Sequence, residues 1–337
     1  MNVFELTRAL VDVESITDNE EQIGLFLFEH LSLLAARTGG RVERMEVEPR
    51  RFNVLACWDT PVVTLSTHMD TVPPFFPSAE DEECIHGRGA CDTKGIIASM
   101  IHAVAGLVED GVRNVGLLFV VGEERNSAGA FAASRDPRGS RFLINGEPTE
   151  NRLALGSKGA LRYKIQADGR MAHSAYPELG ESAIEKLLDA LERLRRIPLP
   201  VDPVLGASTM NIGTLSGGRA PNVIPDAAMA EVFIRLVEDG DSTRRLVDQA
   251  VAGKARAEEV LAIPAVRLGS LPGFATTVVA YTTDIPAFRG AWGRPFLLGP
   301  GTIHVAHTTA ERIPKQQLTE AVSVYQRMVR QLLSNNS

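Results

Sequence analysis

Apolar and polar positions alternate with two different periods along this chain, and each period predicts a different kind of element. Residues 2–35 carry two apolar faces with helical spacing, and a polar break at 15–22 separates them. Within that break, Thr17 or Asp18 is expected to cap the second helix. The chain is therefore predicted to open with a helix, a turn and a second helix.

Short apolar runs rich in β-branched residues then alternate with a long helical pattern. Strands are predicted at 41–48, 52–58, 62–68, 114–124 and 142–148, and the helix between the third and fourth of these at 93–111. Strands that alternate with helices are typical of an α/β fold. We predict a central, mostly parallel mixed sheet flanked by helices.

A second pattern begins near Gly156. Its predicted elements are a strand at 160–169, a helix at 181–197, strands at 208–218 and 227–237, a helix at 241–255 and a strand at 262–268. This order is typical of a ferredoxin-like α+β sandwich. We predict a larger domain of residues 1–156 and 265–337, with residues 157–264 inserted as a smaller domain.

Composition and charge argue against several classes of function. The 337 residues carry a net charge of -7, and no cluster of basic residues indicates a nucleic-acid partner. No lysine-rich amphipathic helix and no run of about 18 apolar residues indicates a membrane partner. The first residues lack the pattern of a secretory leader, and the three cysteines are scattered, so a cytoplasmic location is expected.

Acidic and imidazole side chains follow the predicted strands. They occur in five segments, at 68–70, 91–92, 122–124, 146–148 and 304–307. In α/β sheets a ligand binds outside the carboxyl ends of the strands, so these segments are expected to meet in one cleft. Each segment alone would be interpreted as a surface loop or, for Asp92, as a helix cap. Their joint occurrence favours a functional site.

The side chains of these segments suit a hydrolytic metal centre. Histidines and carboxylates without cysteine are typical of a catalytic zinc site and not of a structural one. The excess of carboxylates favours two ions, which together polarise a carbonyl group and activate a shared water. Neighbouring residues of an extended chain point to opposite sides. One member of the Glu123–Glu124 pair could therefore bind metal while the other acts as a general base.

Five motifs carry a family resemblance, and they occur in the order HMDTVP, GRGACDTKG, GEE, GEPT and AHTTAE. With these motifs the chain resembles, over nearly its whole length, the acetylornithine deacetylase / succinyl-diaminopimelate desuccinylase family of dinuclear zinc metallopeptidases and amidohydrolases. The resemblance implies a zinc exopeptidase-like catalytic domain and an inserted lid domain that also mediates dimerisation. It implies two Zn²⁺ ions, with Co²⁺ or Mn²⁺ as alternatives.

The same resemblance assigns roles to residues of the larger domain. The implied metal ligands are His68 and Glu147 on one ion, Glu124 and His307 on the other, and Asp92 as the bridging carboxylate. Glu123 is implied as the general base and acid. Asp70 is implied to hydrogen-bond the far nitrogen of His68, which would fix the tautomer and raise the basicity of that ligand.

The resemblance also extends to the inserted domain. The segment around His173 is similar to a lid motif whose histidine stabilises the tetrahedral oxyanion, in cis or in trans from a partner subunit. Asn222 and Arg235 are implied to bind the carboxylate of the substrate, Arg235 by a bidentate fork. The alternatives are a surface or capping role for His173, and lid folding or lid–lid contacts for Asn222 and Arg235. A homodimer through the lid is expected.

The substrate implied by the resemblance is a small N-acyl amino acid or a dipeptide. Lys158 and the glutamate of GEPT favour an acetylornithine deacetylase-like hydrolase of amino-acid biosynthesis, although Lys158 could equally be a solvated turn residue. A succinyl-diaminopimelate desuccinylase, an N-acyl-lysine deacylase and a dipeptidase or carboxypeptidase remain alternatives. A non-catalytic zinc-binding scaffold is a distant alternative, since none of the motif residues, including Glu123, is missing.

Overall fold

The computed structural model describes residues 1–334 of the chain, and these form two compact units. The first unit contains residues 1–155, 268–277 and the segment that begins at Thr283. The second unit contains residues 156–267 and 278–282. The predicted domain boundaries, after 156 and before 265, lie within three residues of these limits. Residues 278–282 differ, because they were predicted in the larger domain and lie in the second unit.

Helices occur in both units. Their bounds are α1 (Val3–Val11), α2 (Glu21–Thr38), α3 (Gly95–Glu109), α4 (Ala128–Ser134), α5 (Ala183–Leu194), α6 (Asp241–Val251) and α7 (Lys315–Ser334), with a π-helical turn at Ala90–Lys94 and a 3₁₀ turn at Pro177–Leu179.

The strands are mostly short. Their bounds are β1 (Arg41–Glu48), β2 (Arg51–Trp58), β3 (Val63–His68), β4 (Ala79–Glu80), β5 (Cys84–His86), β6 (Val115–Val120), β7 (Phe142–Asn145), β8 (Leu153–Ser157), β9 (Gly159–Asp168), β10 (Ala172–His173), β11 (Val201–Asp202), β12 (Gly206–Ala207), β13 (Thr209–Gly217), β14 (Val223–Ile224), β15 (Ala227–Leu236), β16 (Arg256–Ile263), β17 (Val266–Arg267), β18 (Thr276–Val279), β19 (Arg294–Leu297) and β20 (Arg312–Pro314).

A six-stranded mixed sheet forms the centre of the first unit. Its strand order is β1-β2-β6-β3-β7-β19. The pairs β6–β3, β3–β7 and β7–β19 are parallel, whereas β1–β2 and β2–β6 are antiparallel. The prediction of an α/β fold around a mostly parallel sheet is therefore confirmed.

The sheet of the first unit is covered on both faces, which explains why its central strands are continuous apolar runs. Leu117 and Phe119 of β6 point into a core shared with α1, α2, α3 and α7. Leu118 and Val120 point to the opposite face, where they join a second cluster that includes Trp292. Every residue of β3 and β6 is buried, as expected for strands packed on both sides.

The topology of the first unit brings the sequence motifs to one edge of the sheet. The parallel strands β6, β3, β7 and β19 all end at the same edge. His68 is the last residue of β3, and the motifs at 122–124 and 146–148 begin two and one residues after the ends of β6 and β7. Three of the motif segments are therefore held close together by strand pairing alone.

The second unit is built on an antiparallel sheet. Its strand order is β13-β15-β9-β16, with neighbouring strands antiparallel throughout. Alternate residues of β15 are buried against α5 and α6, which lie on one face. The chain order of strand, helix, two strands, helix and strand is that of a ferredoxin-like sandwich, as predicted.

Two local predictions were wrong. Neither Thr17 nor Asp18 caps α2, which begins at Glu21 behind Glu20 with no side-chain cap. Thr17 instead donates its hydroxyl hydrogen to Asp70, 53 residues away. The stretch Ala90–Glu109 is also long and apolar enough to cross a membrane by length and composition, although no such stretch was expected. In the structure 83% of its apolar window is buried, as in the core helix of a globular unit.

Candidate metal centre

His68 ends the buried strand β3, and its imidazole is held from both sides. Its Nε2 lies 3.0 Å from Oδ1 of Asp92. Its Nδ1 lies 2.9 Å from the backbone carbonyl oxygen of Asp70 and 3.5 Å from Oδ1 of the same residue. Burial alone would lower the pKa of His68, but the contacts with Asp70 and Asp92 raise it well above the usual value.

The carboxylate of Asp70 supports the Glu123–Glu124 segment as well as His68. Its Oδ1 accepts a hydrogen bond from the backbone N–H of Glu123 at 3.0 Å, and its Oδ2 accepts one from that of Glu124 at 3.2 Å. Thr17 donates to the same Oδ2 at 2.8 Å. The carboxylate, which was expected to hydrogen-bond Nδ1 of His68, lies 3.5 Å from it, and the nearer acceptor is the backbone carbonyl oxygen of Asp70. The carboxylate also positions the two glutamates behind β6.

Asp92 lies in the π-helical turn ahead of α3, between the two histidines of the site. Its Oδ2 is 3.3 Å from Nε2 of His307, on the side opposite to His68. Burial favours a raised pKa for Asp92, but hydrogen bonds from His307 and His68 outweigh it and lower the pKa. Two imidazoles on two different carboxylate oxygens are the arrangement expected around a bridging ligand.

The turn that carries Asp92 depends on a glycine. Gly89 precedes the turn with φ of 83°, a conformation that glycine adopts without steric cost. A Cβ atom at this position would lie 2.7 Å from Cγ2 of Thr71. The glycine therefore allows the loop before Asp92 to pack directly on the segment that follows His68.

His307 contacts Glu124 as well as Asp92. The Nε2 atom of His307 lies 3.0 Å from Oε1 of Glu124, and the His307 side chain is half exposed. Hydrogen bonds with Asp92 and Glu124 raise the pKa of His307 to about 10. Its backbone has φ of 62°, which is uncommon for a residue other than glycine.

The structure brings the predicted ligand set together. Donor atoms of His68, Asp92 and Glu124 all lie within 4.8 Å of one another. His307 joins them through its contacts with Asp92 and Glu124. Glu147 is 4% exposed and interacts electrostatically with His68 and Asp92. All five predicted ligands therefore lie in one region of the first unit.

The donor set fits divalent cations. Burial raises the pKa of Glu123, Glu124 and Glu147. Within the described part of the chain, Oε1 of Glu147 is buried without a hydrogen-bond partner. Buried carboxylates need a compensating charge, and oxygen and imidazole donors without a thiolate are ligands of zinc, cobalt or manganese.

Sequence reasoning missed one acidic residue near this cluster. Asp284 is 1% exposed, and its carboxylate is buried with the side chain of Ser127 as a weak partner and with no closely formed hydrogen bond among the described residues. Burial raises the pKa of Asp284 to about 7, and the group interacts electrostatically with His68 and Asp70. Asp284 follows the apolar run of β18, so the strand-end rule could have found it.

Glu311 was also missed as a site residue. Glu311 is the last residue of the AHTTAE motif, and the family resemblance assigned it no role. It is 1% exposed, forms an ion pair with Arg88, and accepts a hydrogen bond from the backbone N–H of Asp92.

His173 and Asn222 lie together in the second unit. His173 pairs with Val223 in the short ladder of β10 and β14, and the backbone carbonyl of Asn222 accepts a hydrogen bond from Ser174. Both side chains are exposed. Nδ1 of His173 accepts a hydrogen bond from the backbone N–H of Ala175 at 3.1 Å, which leaves Nε2 available. The proposed oxyanion role of His173 stays a prediction.

Arg235 and Lys158 do not join this pair. Strand β15 begins at Ala227, on the side where Asn222 lies, and Arg235 is eight residues further along it. At about 3.3 Å per residue, Arg235 and Ala227 are therefore roughly 26 Å apart. Its guanidinium stacks on the ring of Phe233 at 4.7 Å. The ammonium group of Lys158 donates to the carbonyl oxygen of Ala207 at 2.6 Å. A joint grip of one carboxylate by Asn222 and Arg235 of the same unit is therefore not supported.

Comparison with known proteins agrees with this geometry. A profile of Peptidase family M20/M25/M40 matches residues 64–331. A protein of Aspergillus niger described as a probable carboxypeptidase is 37% identical over 371 residues, which is 96% of this chain and 88% of that protein.

Solved structures show the same fold at low sequence identity. Aminopeptidase PepT from Bacillus cereus superposes with a TM-score of 0.82 at 19% identity and covers 98% of both chains. A Bacillus subtilis protein described as a dinuclear metal-binding peptidase of family M20 superposes with a TM-score of 0.70 at 16% identity, over 97% of this chain and 96% of that one.

The matches fix the family but not the branch within it. The family profile covers well over half of the chain, and the Aspergillus relative exceeds 30% identity over nearly all of it. Membership in the acetylornithine deacetylase and desuccinylase branch stays a prediction. The chain belongs to Peptidase family M20/M25/M40 and is a hydrolase that acts on peptide bonds.

Proposed function

We propose that this protein is a two-metal peptidase that hydrolyses the amide bond next to a carboxylate-bearing residue, as a carboxypeptidase or dipeptidase does. One observation carries the proposal: donor atoms of His68, Asp92 and Glu124 lie within 4.8 Å of one another at the edge where the parallel strands end. The description of the Aspergillus niger relative as a probable carboxypeptidase supports this choice of substrate.

The residues of the first unit divide between two cation positions in this proposal. His68 and Glu147 would hold one ion, Glu124 and His307 would hold the other, and Asp92 would be available to both. When bound, such an ion pair polarises the substrate carbonyl and lowers the pKa of a water molecule. Zinc is the proposed metal, with cobalt or manganese as substitutes that accept the same donors.

Glu123 moves the protons of the reaction in this proposal. It accepts a proton from the attacking water at a carboxylate oxygen as the new C–O bond forms, and it delivers that proton to the amine nitrogen as the C–N bond breaks. Burial raises the pKa of Glu123 well above its usual value. Asp70 keeps the Glu123 backbone in place through its hydrogen bond.

A second candidate function is acetylornithine deacetylase-like hydrolysis of an N-acyl amino acid. The glutamate of GEPT favours it in the sequence, whereas Lys158 lends it no structural support because its ammonium group already bonds Ala207. Both candidates cleave an amide next to a carboxylate-bearing residue and share the same catalytic residues. Their substrates differ in whether the acyl group that is cleaved from the amine nitrogen carries a free amino group.

A homodimer through the second unit belongs to the same proposal. Strand β13 lies at an edge of its sheet, and Leu215 on it is 57% exposed. An exposed edge strand with an apolar side chain is a ready surface for pairing with a second copy. Light scattering after size-exclusion chromatography tests this, and a monomer at micromolar concentration would contradict it. A cytoplasmic location stays part of the proposal.

A substrate panel tests the proposed function. The protein is stripped with a chelator, reloaded with Zn²⁺, Co²⁺ or Mn²⁺, and assayed on dipeptides, N-blocked dipeptides, N-acetylornithine, N-acetyl-lysine and N-succinyl-diaminopimelate. We expect metal-dependent release of the C-terminal residue from peptides. Preference for N-acetylornithine would favour the second candidate, and a loaded protein inactive on the whole panel would contradict both.

A further inference from the structure

A buried ion pair outside the ligand set joins two of the motif segments and contacts the loop that follows a third. Arg88 is 2% exposed and Glu311 is 1% exposed, and Nη1 of Arg88 donates to Oε2 of Glu311. The two residues are 223 positions apart in the chain. Burying two charges costs desolvation energy that their attraction often fails to offset. Such a pair is therefore better explained by the geometry it specifies than by stability.

The other oxygen of Glu311 reaches the backbone of the proposed bridging ligand. Oε1 of Glu311 accepts hydrogen bonds from the backbone N–H groups of Cys91 at 3.3 Å and Asp92 at 3.2 Å. The backbone carbonyl of Glu311 accepts a further hydrogen bond from Gly87 at 3.2 Å. The whole turn that presents Asp92 is thus tied to Glu311 at three amides.

Arg88 extends the same connection to the segment that follows His68. Its Nε donates to the carbonyl oxygen of Pro74 at 3.2 Å. Its guanidinium lies over the ring of Phe76, 4.9 Å from the centroid. The side chain therefore spans from the loop after the HMD motif to the acid of the last motif.

Glu311 also anchors the loop that carries His307. Only four positions separate the two residues, and the segment between them is made of turns. The next residue, Arg312, enters β20 and pairs with His86. Any shift of Glu311 would thus be passed to His307 on one side and to the Asp92 turn on the other.

We propose that Arg88 and Glu311 are positioning residues that set the distance between Asp92 and His307 and so control the affinity of the metal centre. This rests on the proposed function, because it assumes that these residues bind metal. Neither residue is a proposed ligand, and we expect neither to touch substrate. Partners that orient metal ligands typically contribute a factor of about 10–100 to metal affinity.

A second buried ion pair in the same unit provides a matched control. Arg51 donates from Nε and Nη2 to the two carboxylate oxygens of Glu20, at 2.8 and 2.6 Å. The side chains of this pair are about as buried as those of the Arg88–Glu311 pair. Arg51 is 7% exposed and Glu20 0%, whereas Arg88 is 2% exposed and Glu311 1%. Among the described residues, the carboxylate of Glu20 contacts Arg51 and no proposed ligand, so its loss reports on stability alone.

The test measures metal binding by the full chain. Zn²⁺ affinity is determined by chelator competition for the wild type, Glu311→Gln and Glu20→Gln, under conditions where circular dichroism shows each to be folded. The visible spectrum of the Co²⁺-loaded proteins reports the ligand geometry. We expect about 10–100-fold weaker binding and an altered spectrum for Glu311→Gln. For Glu20→Gln we expect an unchanged spectrum and affinity within about threefold of the wild type, at a comparable loss of thermal stability.

Each other outcome counts against the proposal. Equal affinities for the two variants would reduce the Arg88–Glu311 pair to an ordinary structural contact. If Glu311→Gln fails to fold, the double variant Arg88→Met/Glu311→Gln takes its place, because it removes both buried charges and still lacks the carboxylate. Unchanged metal affinity in the double variant would refute the positioning role. A wild type that binds no divalent metal would overturn the proposed function and this inference together.

Discussion

The two units hold their candidate residues in different ways. In the first unit, His68 is 1% exposed and Asp92 is 6% exposed, and each contacts other members of the cluster. In the second unit, His173 and Asn222 are exposed and make mainly local backbone contacts. The first set is arranged by the fold of its own unit, whereas the second set lies on the surface of its unit.

The difference follows from the cost of burial. A buried charge must find partners, so the cluster of the first unit is surrounded by compensating contacts such as those of Asp70. An exposed histidine carries no such requirement, and nothing in the second unit forces His173 toward a particular ligand. Geometry therefore supports detailed roles in the first unit and only candidate roles in the second.

Loss of the general base tests the first unit most severely. Replacing Glu123 by Gln keeps its size but removes the proton acceptor, and we expect kcat to fall by about 10²–10⁴-fold with metal content unchanged. Peptide turnover and metal analysis on the same preparation measure both. Glu82→Gln, at an exposed glutamate of the same unit, serves as the control. Turnover within twofold of the wild type would remove Glu123 from the reaction.

The buried carboxyl group of Asp284 should make the stability of the first unit depend on pH. The pKa of Asp284 is about 7 in the folded state, against 3.8 ordinarily. At pH values between these two pKa values, Asp284 is protonated in the folded state and ionised in the unfolded state. The free energy of unfolding of the metal-free protein should therefore fall by roughly a few kcal/mol as pH rises from about 4 to 7. Asp284→Asn should flatten this dependence in denaturant titrations, whereas exposed Asp136→Asn should not. A pH dependence unchanged by Asp284→Asn would show that other groups cause it.

The exposed set of the second unit is tested through His173. We expect His173→Ala to lower kcat by about 10²-fold while metal affinity is retained. If His173 acts on the partner subunit, mixing this variant with Glu123→Ala should restore about a quarter of wild-type activity, since half of the dimers are mixed and each has one intact site. The unmixed variants are the controls. No recovery in verified mixed dimers would place His173 in cis or outside the reaction.

The smallest expected effects are changes in KM, which should differ between variants of Arg235 and Lys158. Loss of a charge-assisted contact with the substrate carboxylate should raise KM by about tenfold in Arg235→Gln, with kcat nearly unchanged. Lys158→Met should change KM by about twofold or less, because its ammonium group already bonds Ala207. Arg162→Gln on the same sheet controls for the loss of positive charge. A fall in melting temperature without a change in KM would make Arg235 a folding residue of its unit.

Much of the fold was predictable because it depends on local patterns. The apolar runs of β3 and β6, the alternation of β15 and the helical faces of α5 and α6 all follow from side-chain periodicity, which the sequence displays directly. The meeting of the acidic and imidazole segments was predictable from strand ends, whereas the five ligand roles were implied by the family resemblance. The cap of α2 was not, because Thr17 bonds a residue 53 positions away instead of its own helix.

By itself, the sequence of this protein determined which elements form, which residues are candidate metal ligands, and the family to which the chain belongs. Only the tertiary structure decided which side chains support those ligands. The Arg88–Glu311 pair could not be assigned in advance, because its two residues lie 223 positions apart in the chain and no local pattern links them. Periodicity is a property of neighbouring residues, whereas burial and charge compensation are set by packing between distant segments.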